Sequence, residues 1–400
     1  MRETSFARAA EEYALAVGGP FPCTTTWRVA TGAGAILAKD KEVEAERAVA
    51  VPERGESPQQ RRVVEEQPIA GRANLSSDGT MILIRKEGYK EIKMSAISSV
   101  SIHEAAPAEE PSAQQNQRQQ ITAGAILADR PAIQAEQGEG PQQRRVVEDP
   151  LIAARSHLSR EGTMMAQCSV GRKELTPPPI TAMSLRDAQR AHESRVRLSQ
   201  HSYVAGLWEA DAFLKFQYAE GLRRGLDRVE DLSSVNDAAA WIERVTATNF
   251  PQAVQIVDWS HGSEHLHLVA NEVLGEGRTA AATWVATRKG ELWAGDVDAV
   301  IRGLHALGAE DTCWPPAVRQ APGYFDTNRD RMRYPQFRAA GYPIGSGTVE
   351  SGGQNVVKMR MCRPGQGWAR RHTNGMLALL CEYHSGRFAR AWASLSRPAA

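Results

Sequence analysis

Ser76 to Ile102 reads SSDGTMILIRKEGYKEIKMSAISSVSI, and this stretch decides how the rest of the chain is read. Thr80 to Arg85 and Tyr89 to Val100 are rich in β-branched and apolar residues on either side of a Lys-Glu-Gly turn, so a β-hairpin is expected here. At the mouth of its first strand stands an acid, Asp78, within Ser-Asp-Gly-Thr. Taken alone, such an aspartate is more often an Asx-turn residue than a chemical group. Its meaning depends on what other segments bring beside it.

Upstream, residues 1–49 have a helical pattern broken near GGPFPCTTT, compatible with a small DNA-binding or dimerising unit, and residues 50–74 turn to Pro, Gln, Arg and Glu, as a linker does. The hairpin occupies 75–104. Downstream of it the sequence repeats itself: AGAILA begins at Ala33 and Ala123, PQQRRVVE at Pro58 and Pro141, and LSSDGTM at Leu75 is echoed by LSREGTM at Leu158. Two copies are too few for a solenoid. Residues 105–181 therefore read as a duplicated, poorly ordered insert that has lost the strand pattern.

From 182 to 260 a second compact stretch is expected. Ala188 to Arg224 reads as mostly helical with SYVAGL as a short strand inside it, Asp227 to Val235 as a weak strand, Asp237 to Thr248 as a helix, and AVQIV as a short buried strand. Ser260 to Leu274 follows as an amphipathic helix. Residues 261–340 read as a helical insertion around Trp284, Trp293 and Ile301, and 341–400 as a last helix with a basic tail. The alternation implies an α/β fold.

No apolar run reaches the ~20 residues of a membrane span. The N-terminus lacks the basic-then-apolar pattern of a secretory signal, and five scattered cysteines without a CxxC favour reduced thiols, so a cytoplasmic protein is expected. The net charge of +1 hides an asymmetry: Asn328 to Ala400 carries twelve Arg and Lys against three acids. Aromatic residues are interleaved with these cations, as on surfaces that bind phosphates and stack bases. Lys358, Arg360, Arg363, Trp368, Arg370 and Arg371 are the expected DNA contacts.

Two further acids stand at telling places. Asp237 sits where a strand runs into a helix, in VNDAAAWIERV, and Glu350 lies in GYPIGSGTVESGGQNVVKMRM, in the first turn of a helix that Ser346 or Thr348 would cap. Each has a local capping role that would account for it. Together, acids on a first strand, at the end of a later strand and on a last helix converge if the two strands are neighbours, and three carboxylates suit Mg²⁺ or Mn²⁺.

The three blocks around these acids, SSDGTMILIRKEGYKEIK, VNDAAAWIERVTATNFPQAVQIVDWSHGSEHL and DRMRYPQFRAAGYPIGSGTVES, together resemble DDE transposases of bacterial insertion sequences, of the ISKra type within the Mutator-like superfamily. The resemblance implies a ribonuclease H-like mixed sheet flanked by helices, with an all-helical insertion before the last catalytic helix. It implies Asp78, Asp237 and Glu350 as a catalytic, metal-binding triad holding two ions, with Asp258 and His261 as a supporting acid-x-x-His motif. DNA is the implied partner, including terminal inverted repeats and target, engaged by at least a dimer near the nucleoid. The family pattern has Gly where Ala238 stands, and residues 1–49 would be the remainder of a truncated N-terminal region.

Two other readings follow from the same residues. With its insert and departures, the chain is alternatively a catalytically defective DNA-binding remnant. His261 to His265, HGSEH, also fits H-x-x-E-H, in which His261 and His265 would hold zinc and Glu264 act as base.

Overall fold

The computed structural model describes residues 6–17, 19, 22–50, 68–103 and 184–395. Contacts divide the chain into residues 1–104 with 177–400 and residues 105–176. All described residues fall in the first unit, and the insert expected over 105–181 lies outside them.

The hairpin forms, and it is longer than the sequence suggests. Strand β1 spans Arg72–Ile84 and β2 spans Gly88–Ile102, so β1 begins inside the segment read as linker and Asp78 stands mid-strand. Lys86 and Gly88 take up positive φ in the connecting turn, a conformation open to glycine and strained for lysine. The two strands pair without a register break from Ala73↔Ser99 to Ile84↔Gly88.

After the insert come α3 (Leu185–Arg195), β3 (Val196–Gly206), α4 (Ala210–Arg223), β4 (Asp231–Asn236), α5 (Ala240–Asn249), β5 (Val254–Val257) and α6 (Trp259–Leu274). The segment read as mostly helical thus contains an eleven-residue strand. The sheet is five-stranded and mixed, in the order β3-β2-β1-β4-β5. β2 is antiparallel to β1 and β3, whereas β1, β4 and β5 run parallel.

Alternation along β1 sends successive residues to opposite faces. Ile82 and Ile84 join Ile92 and Met94 of β2 in a core with Val349, Val356, Trp368 and Leu377 from the C-terminal helices. On the other face Ala73 and Leu75 pack with Leu226, Leu232 and Phe250 beside α4 and α5. Asp78 shares the parity of Ile82, so it faces the C-terminal helices.

β4 is unusually polar for a central strand, and the structure supplies the reason it holds. Ser233 Oγ donates to Asn74 Oδ1 at 2.9 Å, Asn236 Nδ2 to Ser234 Oγ at 2.8 Å, and Gln217 of α4 reaches Ser77 and Ser95 at 3.1 and 3.0 Å. These buried groups are satisfied across strands, which removes the penalty that would otherwise exclude them.

Helices α7 (Thr279–Trp293) and α8 (Val297–Ala306) and short helical turns over 316–339 build a second core on α6 and the ends of β4 and β5, from Val235 and Ile256 through Leu266, Trp284, Val300 and Phe325 to Tyr334. The chain then forms α9 (Gly347–Gly352), a π-helical segment over Gly353–Lys358, α10 (Arg370–His384) and α11 (Phe388–Leu395). Among the described residues no helix is long and apolar enough to cross a membrane.

The N-terminal helices, α1 (Phe6–Val17) and α2 (Cys23–Val49), are not a separate unit: α2 packs on α10 and α4. Gly34 of α2 and Gly375 of α10 meet backbone to backbone, and a Cβ at Gly34 would lie 2.5 Å from the Gly375 carbonyl oxygen. Gly34→Val is expected to cost about 1–3 kcal/mol through overpacking. A urea midpoint unchanged from wild type would show that the helices part freely.

Candidate active site

The parallel half of the sheet sets three aspartates level with one another. Arg72 faces Asp231 and Leu75 faces Ser234 across β1 and β4. Carried three residues further, this register sets Asp78 level with Asp237. Asn236 faces Val257 across β4 and β5, so the next position sets Asp237 level with Asp258. The β1–β4 ladder stops at Leu75↔Ser234, and the Ser77 amide donates instead to the Asn236 side chain at 2.5 Å. Beyond that point β4 and β5 end while β1 continues. The acids thus stand where parallel strands finish, the usual place for a site in an open α/β sheet.

Asp78 is half-buried, and its carboxyl is raised above the usual range, first by burial and then by the charge of Asp237, against the backbone amide of Gly79 and the charges of His261 and Lys358. Two acids, a histidine and a lysine from four separate chain segments therefore act on one another here. Asp78 Oδ1 accepts from the Gly79 amide at 2.7 Å, and Asp237 Oδ1 accepts from the Ala239 amide at 3.0 Å. The N-cap role expected of Asp237 is not met: Ala239 occupies the N-cap position of α5 without a side-chain cap, and Asp237 bonds an amide ahead of the helix.

Asp258 has a different job. It is 1% exposed and caps α6, its Oδ1 accepting from the Ser260 and His261 amides at 2.5 and 3.0 Å, while its Oδ2 accepts from the Ser346 amide. The Trp259 amide donates to Ile344 oxygen at 2.9 Å. Asp258 thereby ties the end of β5 to the turn that launches α9. Ser346 begins α9 without capping it: its hydroxyl donates to Glu350 Oε1 at 2.7 Å. A chain of bonds runs from Asp258 through Ser346 to Glu350, which is the acid in the first turn of α9, as its sequence position suggests.

Tyr324 has no sequence signal linking it to these acids. Among the described residues its buried hydroxyl has no hydrogen-bond partner, and burial together with the charges of Asp237 and Asp258 holds it protonated far above neutral pH. His265 stacks on its ring, centroids 3.8 Å apart. His261 Nδ1 lies 3.5 Å from Glu264, so the H-x-x-E-H residues are engaged with Tyr324 and with each other. Among the described residues, no group of three or more His, Cys, Asp or Glu forms a ready metal cage.

The basic tail is less available than its composition suggests. Trp368 is 6% exposed in the core, its indole donating to Met361 oxygen at 3.2 Å. Arg360 is 8% exposed and lies over the Phe6 ring at 4.0 Å, its pKa lowered by burial to about 10. Neither is a surface contact, because each fills apolar space. Arg370 grips both carboxylate oxygens of Glu87, and Arg387 is buried. Lys358 and Arg371 are exposed and Arg363 is half-buried.

Because ionisation of Asp78 is disfavoured by its surroundings, the sign of a stability effect follows. A carboxyl raised in the folded state contributes stability at low pH that is lost as pH rises through its folded value. Asp78→Asn is therefore expected to raise the unfolding midpoint at pH 7 without divalent ions. A midpoint below that of wild type would contradict this.

The described residues form an α/β protein with a five-stranded mixed sheet flanked by helices, in which Asp78 lies on β1 and Asp237 and Asp258 lie just past the ends of β4 and β5. Comparison of the chain with protein-family models and with curated proteins finds no match.

Proposed function

We propose that the chain is a DDE-type transposase with a ribonuclease H-like core, cutting DNA at the ends of its element and joining those ends to target DNA by phosphoryl transfer. The observation that supports this best is that Asp78 on β1 and Asp237, just past the end of the neighbouring parallel β4, come level when the register is extended, with Glu350 on a helix packed against β1 and β2. The strand order is consistent with that core.

The donors fit a divalent ion. Mg²⁺ is commonly held by one or two carboxylates together with water and substrate phosphates, without a complete protein cage. Asp78 and Asp237 are two such oxygen donors whose mutual repulsion a cation would relieve. Glu350 would join them on exchanging its Ser346 bond. Bound there, Mg²⁺ or Mn²⁺ would polarise the phosphoryl oxygens and activate a hydroxyl nucleophile.

The remaining residues act by position. Asp258 fixes the Ser346 turn and so the start of α9. Lys358, whose charge reaches Asp78, would meet a phosphate brought to the acids. Tyr324 packs His265 against the same region.

The test is divalent-ion-dependent cleavage of duplexes covering the DNA that flanks the coding sequence, with Asp78→Ala, Asp237→Ala and Glu350→Ala. Loss of cleavage with duplex binding preserved is expected in each. Cleavage retained in any one removes that residue from the site. Binding without any cleavage by wild type, under Mg²⁺ or Mn²⁺, identifies a DNA-binding remnant.

A further inference from the structure

A second site is marked out where α1, the start of α2 and the start of α10 meet the β1–β2 turn. A cleft of about 250 Å³, open to solvent, is lined by Phe6, Trp27, Arg85, Gln366, Arg371 and His372. It is smaller than the about 300–1,000 Å³ of sites that enclose a whole drug-sized ligand, so it suits a group that is only partly engulfed. Nothing in the strand-cleavage reading uses it.

Its wall combines three chemistries. Trp27 is 39% exposed, unusual for so large an apolar side chain, and the His372 ring meets it edge-on with centroids 5.2 Å apart, leaving indole surface open. Burial and the neighbouring Arg371 lower the His372 pKa, so the imidazole is neutral at pH 7. Arg85 donates to Gly367 oxygen at 2.7 Å and Arg371 to His372 Nε2 at 3.0 Å. Among the described residues neither guanidinium has a carboxylate partner, so both keep charge for a ligand. The Gln366 Oε1 is a buried acceptor with no hydrogen-bond partner among the described residues.

An aromatic face, an unsatisfied acceptor and two cations match the parts of one nucleotide. The face stacks a base, the acceptor takes a base N–H, and the cations take the phosphate. The tryptophans of the helical insertion offer no such surface. Trp284 is buried beneath Arg288, and Trp293 is covered by Arg338 at 3.6 Å and by Trp259.

We propose that this cleft binds one unpaired nucleotide of a single-stranded nucleic acid, its base on Trp27 and its phosphate between Arg85 and Arg371. The site goes beyond the strand-transfer reading and is tested by equilibrium binding without divalent ions, so either can fail alone. The probe is a fluorescein-labelled ten-residue deoxyadenosine strand, titrated with the full chain at several salt concentrations and followed by anisotropy.

Trp27→Leu is expected to weaken binding about tenfold with an unchanged salt slope, as loss of base stacking does. Trp27→Phe, which keeps a ring, should stay within about threefold of wild type. Arg371→Gln is expected to reduce the salt slope by about 0.7, the value for one lost phosphate contact on a single strand. A folded Trp27→Leu or Arg371→Gln protein that binds the strand within twofold of wild type, with the same salt slope, overturns the site. Tighter binding of adenosine monophosphate than of the strand overturns the assignment to a nucleic acid chain.

Discussion

Asp78→Ala and Asp237→Ala are each expected to reduce divalent-ion-dependent strand cleavage by about 10³-fold or more, the scale on which residues of one catalytic unit fail when a member is lost. Extended three residues past its last pair, the parallel register of β1 and β4 sets Asp78 level with Asp237, and burial together with the charge of Asp237 raises the Asp78 carboxyl. Removing either leaves a single carboxylate to hold a cation beside a polyanionic substrate. Duplex binding should change less than twofold, because positive side chains elsewhere carry the phosphate attraction. Asp258→Asn is a useful contrast. Its carboxylate is consumed by three backbone amides, so the variant should lose cleavage together with stability, through a displaced α9. If Asp258→Asn lost cleavage with its unfolding midpoint intact, Asp258 would belong with the reacting groups.

Arg387→Ala is expected to destabilise the protein by about 3–5 kcal/mol, the cost of breaking a buried ion pair and leaving its partners uncompensated. Arg387 is 5% exposed and bonds Glu220 of α4 at 2.8 Å and Glu382 of α10 at 3.0 Å. Lys41 of α2 pairs with Glu382, and Arg223 of α4 with Glu44 of α2. Three helices distant in sequence are thus joined by one charge cluster. Burial alone would raise the Glu382 carboxyl, but Lys41 and Arg387 outweigh it and bring the pKa down to about 2 from an ordinary 4.5. A depressed acid contributes stability that is complete above its unfolded value and lost as pH falls toward its folded value. Equilibrium urea unfolding should therefore weaken between about pH 4.5 and 2, and Arg387→Ala should flatten that dependence. A variant within about 1 kcal/mol of wild type at pH 7 would mean that the carboxylates find other partners.

How far the residues alone could be read differs from element to element. The hairpin was legible because two runs rich in β-branched and apolar residues flank a Gly-bearing turn. The strand Val196–Gly206 was legible only in its second half, within SYVAGL: the VRLSQ before it follows helical sequence and mixes polar residues without a clean period. It becomes a strand by pairing with β2. β4 was read as weak because Asp-Leu-Ser-Ser-Val-Asn lacks the apolar run of a buried parallel strand. Its serines are acceptable in the core because Ser233 bonds Asn74, about 160 positions away in sequence, and Ser234 accepts from Asn236 and meets Thr246 of α5.

The candidate site divides along the same line. Asp78, Asp237 and Glu350 each sat in a segment whose local pattern marked an element and its end, so sequence sufficed to nominate them. Which acid is spent on backbone amides and which keeps its oxygens available is a matter of neighbours. Asp258 and Asp237 look alike in sequence, yet one accepts from three backbone amides and the other accepts from one and adds its charge to the field at Asp78. The basic tail makes the point in reverse. Its charge was countable from the residues, but Arg360 and Arg387 are drawn into the interior by Phe6, Glu220 and Glu382, segments that composition does not connect. Short-range pattern determined the elements and the candidate acids, because hydrophobic period and turn chemistry act over a few residues. Tertiary structure decided availability, because burial and charge pairing depend on residues brought together from across the chain.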